Sequence, residues 1–359
     1  MPKENIMKKC LADFDYNEIT NLLKDMGQPK YRGEQLFKDV CSYKSFDEMT
    51  TLPKTLREKL KEEYFDKALY IEKYFESKDG TIKFLFKLND GNLIEGVLMK
   101  YKYGNTLCLS TQVGCRMGCE FCASTKDGLV RNMTVGEIAT EVYAVNSFLG
   151  GNIQKREVTN LVLMGSGEPF DNYSNLIGFL KVIMSDIGLN ISARNISLST
   201  CGLVDNIYKF CDEGIPLNLT ISLHNPFDED RKKVMPIAKK YTIKEILDAC
   251  EAYFKKTKRR YIFEYVLING ENDTEAHVKE LTRLLKGKPC HINLIRLNEI
   301  KETSLKSVTD KNAYLFMDKL VKNGLSATVR RQIGVDIEGA CGQLRRRYIE
   351  EEKNEGTSN

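Results

Sequence analysis

Three cysteines lie within eight residues of one another in the segment QVGCRMGCEFCAS. Cys115, Cys119 and Cys122 have the spacing C-x3-C-x2-C, which directs three thiolates at one centre. A structural zinc ion takes four protein ligands, usually including a second pair of cysteines or histidines at short spacing, and none of the chain's 3 histidines lies in this segment. Three thiolates on an iron–sulfur cluster leave one iron open for a small molecule. The spacing therefore favours a cluster, with zinc as the alternative.

The remaining cysteines bear on the compartment and on the core. The chain has 11 cysteines, and its first residues, MPKENIMKKCLADFDYNE, contain no apolar segment before a cleavage site. No apolar run is long enough to span a bilayer, so we expect a cytoplasmic protein with no membrane partner. In that compartment an odd cysteine count indicates reduced thiols, metal ligation or catalysis. Six cysteines lie in apolar segments and are predicted to pack in the core: Cys10, Cys41, Cys201, Cys211, Cys250 and Cys290.

Elements that could position the cysteine loop follow one another in a strand-helix rhythm. Apolar strand candidates lie at 107–110, 158–164, 195–200, 217–223, 261–267, 290–296 and 327–331. Between them are amphipathic helices, the first of which begins with a capping box formed by Thr134 and Glu137. Repeated βα units predict a parallel sheet, open or closed into a barrel, with functional groups at the C-terminal ends of its strands.

The rest of the chain divides into smaller parts. We predict a helical N-terminal domain over residues 1–75 and a β-hairpin linker or extension over 76–104. The hairpin prediction rests on alternating apolar residues on both sides of the turn Asp90-Gly91. The barrel domain is predicted over 105–345, and the charged residues 346–359 are predicted to be a disordered tail.

Glycines and polar residues follow several of the predicted strands. Gly167 and Glu168 in MGSGEP come after the second barrel strand, where an ordinary βα turn would also use glycine to reach positive φ. Ser199 ends the third barrel strand, and Asn298 lies just beyond the sixth. Ser222, Leu223 and His224 end the fourth. A lone serine or histidine at a strand end is more often structural. These positions are therefore candidate binding residues only because they are predicted to lie beside the cysteine loop.

The cysteine loop after the first strand of a βα barrel resembles the radical S-adenosylmethionine (SAM) superfamily. The resemblance implies a partial (βα)6-type barrel and one [4Fe–4S] cluster with three cysteine ligands, whose open iron binds SAM. It also implies an electron donor such as flavodoxin or ferredoxin. In the superfamily a glycine and an acid hold the SAM amino group, which would be Gly167 and Glu168 here. The other implied SAM contacts are Ser199, Ser222, Leu223, His224 and Asn298.

A closer resemblance, to the RlmN/Cfr methyltransferases, covers nearly the whole chain. The segments STQVGCRMGCEFCAS, LMGSGEPFDN, ISLH, FEYVLINGENDTEAH, INLIRLN and VRRQIGVDIEGACGQLRR carry it, as does YRGEQLF. An adenine carbon is a poor nucleophile, so the family uses sulfur to carry the methyl group. The resemblance implies that Cys341 is methylated by one SAM and activated by a second, and that Cys108 releases the RNA through a transient disulfide with Cys341. Glu95 matches the family's proton acceptor, although its pattern alone is typical of a solvent-facing strand residue.

The resemblance implies RNA substrates and an N-terminal domain, over residues 1–75, of the type that binds RNA. The RlmN branch methylates carbon 2 of an adenosine in 23S rRNA and of the adenosine 3′ of some tRNA anticodons, whereas the Cfr branch methylates carbon 8 of the same rRNA adenosine and confers antibiotic resistance. Most motifs resemble RlmN, and we therefore favour that branch. Arg296 instead resembles Cfr, and Ala238, Cys201 and Asn225 depart from the usual pattern of both branches.

The net charge of +4 is only a weak indication of a polyanionic partner. Candidate phosphate contacts are Arg330, Arg331, Lys239, Lys240, Arg345, Arg346 and Arg347, which could equally form a solvated basic face. Two further alternatives stay open from the sequence. One is an RNA- or ribosome-binding protein whose three cysteines hold zinc, without catalysis. The other is a radical SAM enzyme of another type, which would not need Cys108 and Cys341.

Overall fold

The structure is a computed structural model that describes residues 8–299 and 303–337. The predicted methyl carrier Cys341 and the candidate phosphate contacts Arg345, Arg346 and Arg347 lie outside these ranges. No helix in the described ranges has the length and apolar character needed to cross a membrane.

The described helices alternate with strands after an N-terminal helical part. The helices are α1 Tyr16–Asp25, α2 Tyr31–Cys41, α3 Lys54–Glu63, α4 Val135–Phe148, α5 Tyr173–Ile183, α6 Val204–Glu213, α7 Asp228–Val234, α8 Ile243–Thr257, α9 Glu275–Leu285 and α10 Asp310–Lys322. The strands are β1 Lys9–Cys10, β2 Tyr64–Phe65, β3 Leu69–Glu76, β4 Ile82–Leu88, β5 Leu93–Tyr101, β6 Gly104–Cys108, β7 Gln112–Gly114, β8 Leu129–Asn132, β9 Val158–Leu163, β10 Ile196–Thr200, β11 Asn218–Ser222, β12 Tyr261–Leu267, β13 Cys290–Arg296 and β14 Ala327–Val329.

In the described residues, ten strands form one sheet in the order β14-β13-β12-β11-β10-β9-β6-β5-β4-β3. The seven strands from β6 to β14 in this sheet are parallel, as the βα pattern predicted. Strands β3, β4 and β5 continue the sheet antiparallel beyond β6. The predicted hairpin is therefore part of a three-stranded extension of the barrel sheet.

Strand β3 corrects the sequence-based boundary of the helical part. The sequence predicts that most of Leu69–Glu76 belongs to the helical domain, but this segment forms a strand paired with β4. Its sequence LYIEKYFE has most of its residues exposed to solvent, so the apolar alternation is interrupted by charges. Its conformation is decided by pairing with the strongly apolar strand β4, and no local sequence pattern encodes that pairing.

The N-terminal helical part packs closely against the barrel through α4. The capping box predicted for this helix is present, since the Thr134 side chain accepts from the Glu137 amide at 3.2 Å and the Thr134 amide donates to Glu137 at 2.9 Å. The Gly136 amide donates to Asp13 Oδ1 at 2.8 Å. A Cβ at Gly136 would lie 2.7 Å from the Asp13 backbone nitrogen, so this approach requires glycine. The buried side chains of the helical part and of the barrel form one continuous core.

Candidate active site

A cavity of about 470 Å³ opens at the C-terminal ends of the parallel strands. Cys115, Cys119 and Cys122 all line it. The other predicted site residues on its wall are Cys108, Gly167, Glu168, Ser199, Ser222, His224 and Asn298. Residues that are far apart in sequence thus meet in one place because the barrel brings the ends of its strands together.

The cysteine loop is held by a small hairpin formed by β7 and β8. A Cβ at Gly114, whose φ is +78°, would lie 2.0 Å from the Gly128 carbonyl oxygen, so glycine is required at this crossing. The Cys115 amide donates to the same carbonyl at 3.0 Å. These contacts fix the position from which Cys115 enters the cavity.

The three thiols suit an iron–sulfur cluster as a donor set. Burial raises the pKa of Cys115 to about 12 and also raises the pKa of Cys119, so a strong positive charge is needed to stabilise their thiolates. Within residues 8–299 and 303–337, no three Cys, His, Asp or Glu side chains are grouped closely enough to hold one metal ion. The thiolates of a cluster bind separate iron atoms, which is compatible with the wider arrangement of these three around the cavity wall.

The loop after β9 places a fixed carboxylate in the cavity wall. Gly167 has φ of +108°, and a Cβ there would lie 2.6 Å from Gln112 Cβ. Glu168 accepts hydrogen bonds from the Cys201 amide at 2.7 Å and from the Phe170 amide at 3.1 Å. Burial raises the pKa of Glu168, and these hydrogen bonds oppose that effect. The glycine thus permits both the backbone turn and close packing, and the carboxylate has a single well-defined position.

His224 is a neutral, rigidly held side chain on the cavity wall. Its Nδ1 accepts a hydrogen bond from the Val266 amide at 3.0 Å, which leaves the proton on Nε2. The ring packs edge-on against Phe121 of the cysteine loop, with ring centroids 4.7 Å apart. Burial lowers the pKa of His224 to about 3. The side chain can therefore donate one hydrogen bond without carrying charge.

Leu223 differs from its neighbours because it does not line the cavity. Its side chain is fully buried in the hydrophobic core, and its carbonyl oxygen accepts a hydrogen bond from Arg231 Nε at 3.1 Å. Its amide donates to the Glu264 carbonyl at 3.0 Å. Leu223 supports the site from behind, and its contact with SAM stays a prediction.

Cys108 is the last residue of β6 and lies in the cavity wall, buried. It pairs with Val97 of β5 and Val162 of β9. Glu95 lies two residues before Val97, and therefore on the same face of β5 as Val97 and Met99, which line the cavity. Glu95 is only 7% exposed, so the alternative of a solvent-facing strand residue is wrong.

Arg231 and Glu264 are buried charged residues near the cavity that the sequence reasoning missed. Arg231 is fully buried and donates to the carbonyl oxygens of Cys201 at 2.8 Å and Ser222 at 3.1 Å, so it joins the ends of β10 and β11. Its segment DEDRKKV is typical of an exposed helix and gave no signal. Glu264 lines the cavity, and its acidic side chain within the apolar strand YIFEYVL was a signal that could have been used.

The segment after β14 forms a further part of the wall. Residues 330–334 all line the cavity. Arg330 extends its guanidinium to the sulfur atoms of Met164 at 3.9 Å and Met99 at 4.0 Å. The predicted phosphate contacts Arg330 and Arg331 therefore lie at the cavity, whereas Lys239 and Lys240 do not line it.

A three-thiol loop at the end of a parallel βα barrel, with a match of residues 109–282 to the Radical SAM superfamily, defines a radical SAM enzyme. Residues 10–65 match the ribosomal RNA large subunit methyltransferase N-terminal domain. The chain is 50% identical to the probable dual-specificity RNA methyltransferase RlmN of Clostridium perfringens (strain SM101), over 95% of this chain and 98% of that protein. The chain therefore belongs to the RlmN family of radical SAM RNA methyltransferases.

Other relatives agree with this membership. The probable dual-specificity RNA methyltransferase RlmN of Lachnoclostridium phytofermentans is 48% identical over 93% of both chains. A crystal structure of a radical SAM methyltransferase from Sphaerobacter thermophilus is 40% identical, covers 93% of this chain and 98% of that chain, and has a TM-score of 0.89. The predicted family, fold class and enzyme class are confirmed. The zinc-stabilised binding protein and a radical SAM enzyme of another type are set aside, and the superfamily implies a [4Fe–4S] cluster and SAM.

Proposed function

We propose that this chain methylates carbon 2 of an adenosine in 23S rRNA, and of the adenosine 3′ of the anticodon in some tRNAs, with Cys341 as the methyl carrier. The supporting observation is that Cys108, the three cluster cysteines and residues 330–334, which precede Cys341 in the chain, line one cavity. The relatives named as dual-specificity RNA methyltransferases support two classes of RNA substrate.

In this proposal, separate groups of site residues hold the cluster and SAM. Cys115, Cys119 and Cys122 hold the cluster, and the wall residues that hold SAM are Gly167, Glu168, Ser199, Ser222, His224 and Asn298. Leu223, between Ser222 and His224, completes the predicted set, with its side chain in the hydrophobic core. When bound, the cluster and SAM supply the methyl group and a one-electron route for removing hydrogen from an unactivated carbon, with flavodoxin or ferredoxin as the class of electron donor.

The two remaining thiols and one carboxylate complete the transfer. Cys341 carries the methyl carbon, which loses one hydrogen atom by the one-electron route and becomes joined to the adenine ring. Glu95 accepts the proton that leaves the substituted ring carbon, and the one electron lost with it would return to the electron-transfer route that the cluster supplies. The Cys108 thiolate then attacks the Cys341 sulfur, so a sulfur–sulfur bond forms as the carbon–sulfur bond breaks. The electron pair of the broken bond stays with carbon, which takes up a proton and becomes the methyl group. A reductant of the dithiol class reopens the disulfide.

Nucleoside analysis tests the proposal directly. The reconstituted full-length enzyme, given SAM, a reducing system and either a 23S rRNA fragment or tRNA, should yield 2-methyladenosine in both RNAs by mass spectrometry. The matched control is Cys341→Ala, which should yield none. Methylation by this variant, or 8-methyladenosine as the main product of the wild-type enzyme, would overturn the proposal.

Methylation of carbon 8 is the second candidate, and Arg296 is the observation in its favour. This residue, which resembles the Cfr branch, lines the cavity. In the structure its guanidinium donates to Gln332 Oε1 at 2.6 Å and forms an ion pair with Asp310. Both terminal nitrogens are thus used within the protein, which weakens the case for Arg296 as the residue that selects the carbon.

A further inference from the structure

The two edge strands of the ten-stranded sheet, β14 and β3, are connected by contacts that do not belong to the sheet. We call residues 330–337 the strap and residues 77–81, which join β3 to β4, the edge turn. The strap leaves β14 at one edge, and its residues 330–334 line the cavity. It then reaches the edge turn at the other edge, so it crosses the open side of the barrel.

Hydrogen bonds run in both directions between the strap and the edge turn. Asp79 of the edge turn accepts from the Gly334 amide at 2.8 Å. In return, Asp336 of the strap accepts from the Lys78 amide at 3.1 Å and from the Ser77 hydroxyl. Each partner therefore supplies one carboxylate, and a hydrogen bond to a charged acceptor is stronger than one between neutral groups.

Packing and backbone conformation fit the same contact. Gly334 is buried and has φ of +63°, and a Cβ there would lie 3.1 Å from Thr81 Cγ2. The edge turn is itself rigid, because Asp79 Oδ1 accepts from the Thr81 amide at 2.9 Å and the Ser77 amide donates to the Thr81 carbonyl at 2.8 Å. The strap thus docks on a preformed surface.

The electrostatics show that the contact involves charged carboxylates. The Gly334 amide is the largest of several hydrogen-bond donors that hold the pKa of Asp79 well below its usual value. The Ser77 hydroxyl and the Lys78 amide likewise lower the pKa of Asp336. Both groups stay ionised at neutral pH, so the charge-assisted hydrogen bonds persist under the conditions in which the enzyme works.

We infer that Asp79 and Asp336 act as positioning residues for the methyl-carrying Cys341, by fastening the strap across the cavity. Cys341 follows Gly334 by seven residues and Asp336 by five. The inference rests on the proposed function, in which the Cys341 sulfur must serve first the methyl donor and then the adenine. A misplacement of about an ångström in such a geometry can cost on the order of a hundredfold in rate.

Asp79→Asn in the full-length reconstituted enzyme is the primary test. An asparagine has one oxygen where Asp79 uses two, to accept from Thr81 and from Gly334. Asp273→Asn is the matched control, because Asp273 also accepts from a glycine amide, that of Gly270 at 3.0 Å, but within a single loop. Asp336→Ala is a second variant that weakens the contact from the strap side and leaves the edge turn intact.

Hydrogen exchange of the strap is the structural readout. Peptides that contain Gly334 should exchange about ten- to a hundredfold faster in Asp79→Asn and Asp336→Ala than in the wild type, because each variant loses a hydrogen bond to a charged acceptor. The control Asp273→Asn should leave these peptides unchanged. Unchanged exchange of the strap in both Asp79→Asn and Asp336→Ala would overturn the contact itself.

The functional readout is the coupling between SAM cleavage and RNA methylation. Both variants should keep wild-type iron content and SAM binding, because neither carboxylate lines the cavity. They should form more 5′-deoxyadenosine per methylated adenosine, with kcat reduced about ten- to a hundredfold and KM for RNA nearly unchanged. Faster exchange with unchanged coupling would overturn the positioning role, whereas methylation by Cys341→Ala would overturn the proposed function itself.

Discussion

The ammonium group of Lys83 lies 3.8 Å from the Glu95 carboxylate, and both side chains are buried. They sit on the adjacent antiparallel strands β4 and β5, and their face of the sheet continues into Val97 at the cavity wall. A nearby positive charge favours the ionised form of a carboxylate. Lys83 is therefore the ion-pair partner of Glu95, the proposed proton acceptor, beside the cavity that Glu95 does not itself line.

Glu95→Gln should separate proton removal from the earlier steps. The amide keeps the size of the side chain but cannot take the ring proton, so RNA methylation should fall about 10²- to 10⁴-fold. Methylation of Cys341, measured by mass spectrometry of its peptide, should persist. Glu141→Gln is the control, since Glu141 is fully buried, burial raises its pKa well above the usual value, and an uncharged amide replaces it closely. Equal losses in the two variants would contradict the role of Glu95.

The number of cluster ligands can be tested with a fourth cysteine that packs against the loop. Replacing Cys115, Cys119 and Cys122 by Ala should remove the iron and all reductive SAM cleavage, because three thiolates are the minimum set that holds the cluster. Cys201 lines the same cavity and packs in one cluster of side chains with Cys119. Cys201→Ala should retain full iron loading by metal analysis, and loss of iron from this variant would make Cys201 a fourth ligand.

Variants that lack one of the two proposed catalytic thiols, Cys108 or Cys341, should stop at different steps of the reaction. Cys108→Ala can still carry the methyl group on Cys341 and join it to adenine, but it lacks the thiolate that releases the RNA. A covalent protein–RNA species should therefore accumulate in Cys108→Ala, visible as a shifted band on a denaturing gel that nuclease removes. Cys341→Ala should form no such species. Identical behaviour of the two variants would refute the division of labour.

Burial of His224 should make the folded state sensitive to acid. The pKa falls from 6.5 to about 3 on folding, so the unfolded chain binds this proton first as the pH drops. Stability is fully present above pH 6.5 and is lost towards pH 3, by up to about 1.4 kcal/mol per pH unit for this one group. Protonation of Nδ1 would also break its bond from the Val266 amide.

His224→Asn tests this pH dependence. Asparagine tolerates the positive φ of 57° at this position, and its side-chain oxygen can replace Nδ1 as the acceptor. The free energy of unfolding in urea should fall more steeply between pH 7 and pH 5.5 in the wild type than in the variant. Parallel pH profiles would show that His224 does not titrate as its burial implies.

The sequence predicted those parts of the fold and site that are encoded locally. The βα rhythm, the Thr134–Glu137 capping box and the spacing of the cysteines are all local patterns, and the structure shows the strands, the cap and the shared cavity. Relations set by tertiary pairing were not visible. Strand β3 is decided by its partner, and buried Arg231 lies in a segment whose composition is typical of an exposed helix.

The strap across the cavity illustrates the same limit at the site. Its contacts join residues more than 250 positions apart, such as Asp79 and Gly334 at a separation of 255. No periodicity or motif in either segment encodes a contact between residues so far apart in sequence. The sequence therefore predicted which residues could carry the chemistry of the site. The contact between the strap and the edge turn is visible only in the folded chain.

The last prediction concerns Arg296 and the carbon that is methylated. One terminal nitrogen donates to Gln332 and the other pairs with Asp310, so the guanidinium ties the end of β13 to the strap and to the start of α10. Asp310 is 67% exposed, so the ion pair itself contributes little stability. We expect Arg296→Gln to lower the methylation rate by less than about tenfold and to leave 2-methyladenosine as the product, since the residue acts on the protein and not on the base. Asp310→Asn, which removes the same ion pair and keeps Arg296, should behave alike. Two outcomes, seen in Arg296→Gln but not in Asp310→Asn, would instead identify Arg296 as the residue that presents the base. One is a shift of the product to 8-methyladenosine, and the other is the loss of 8-methyladenosine from a mixed wild-type product.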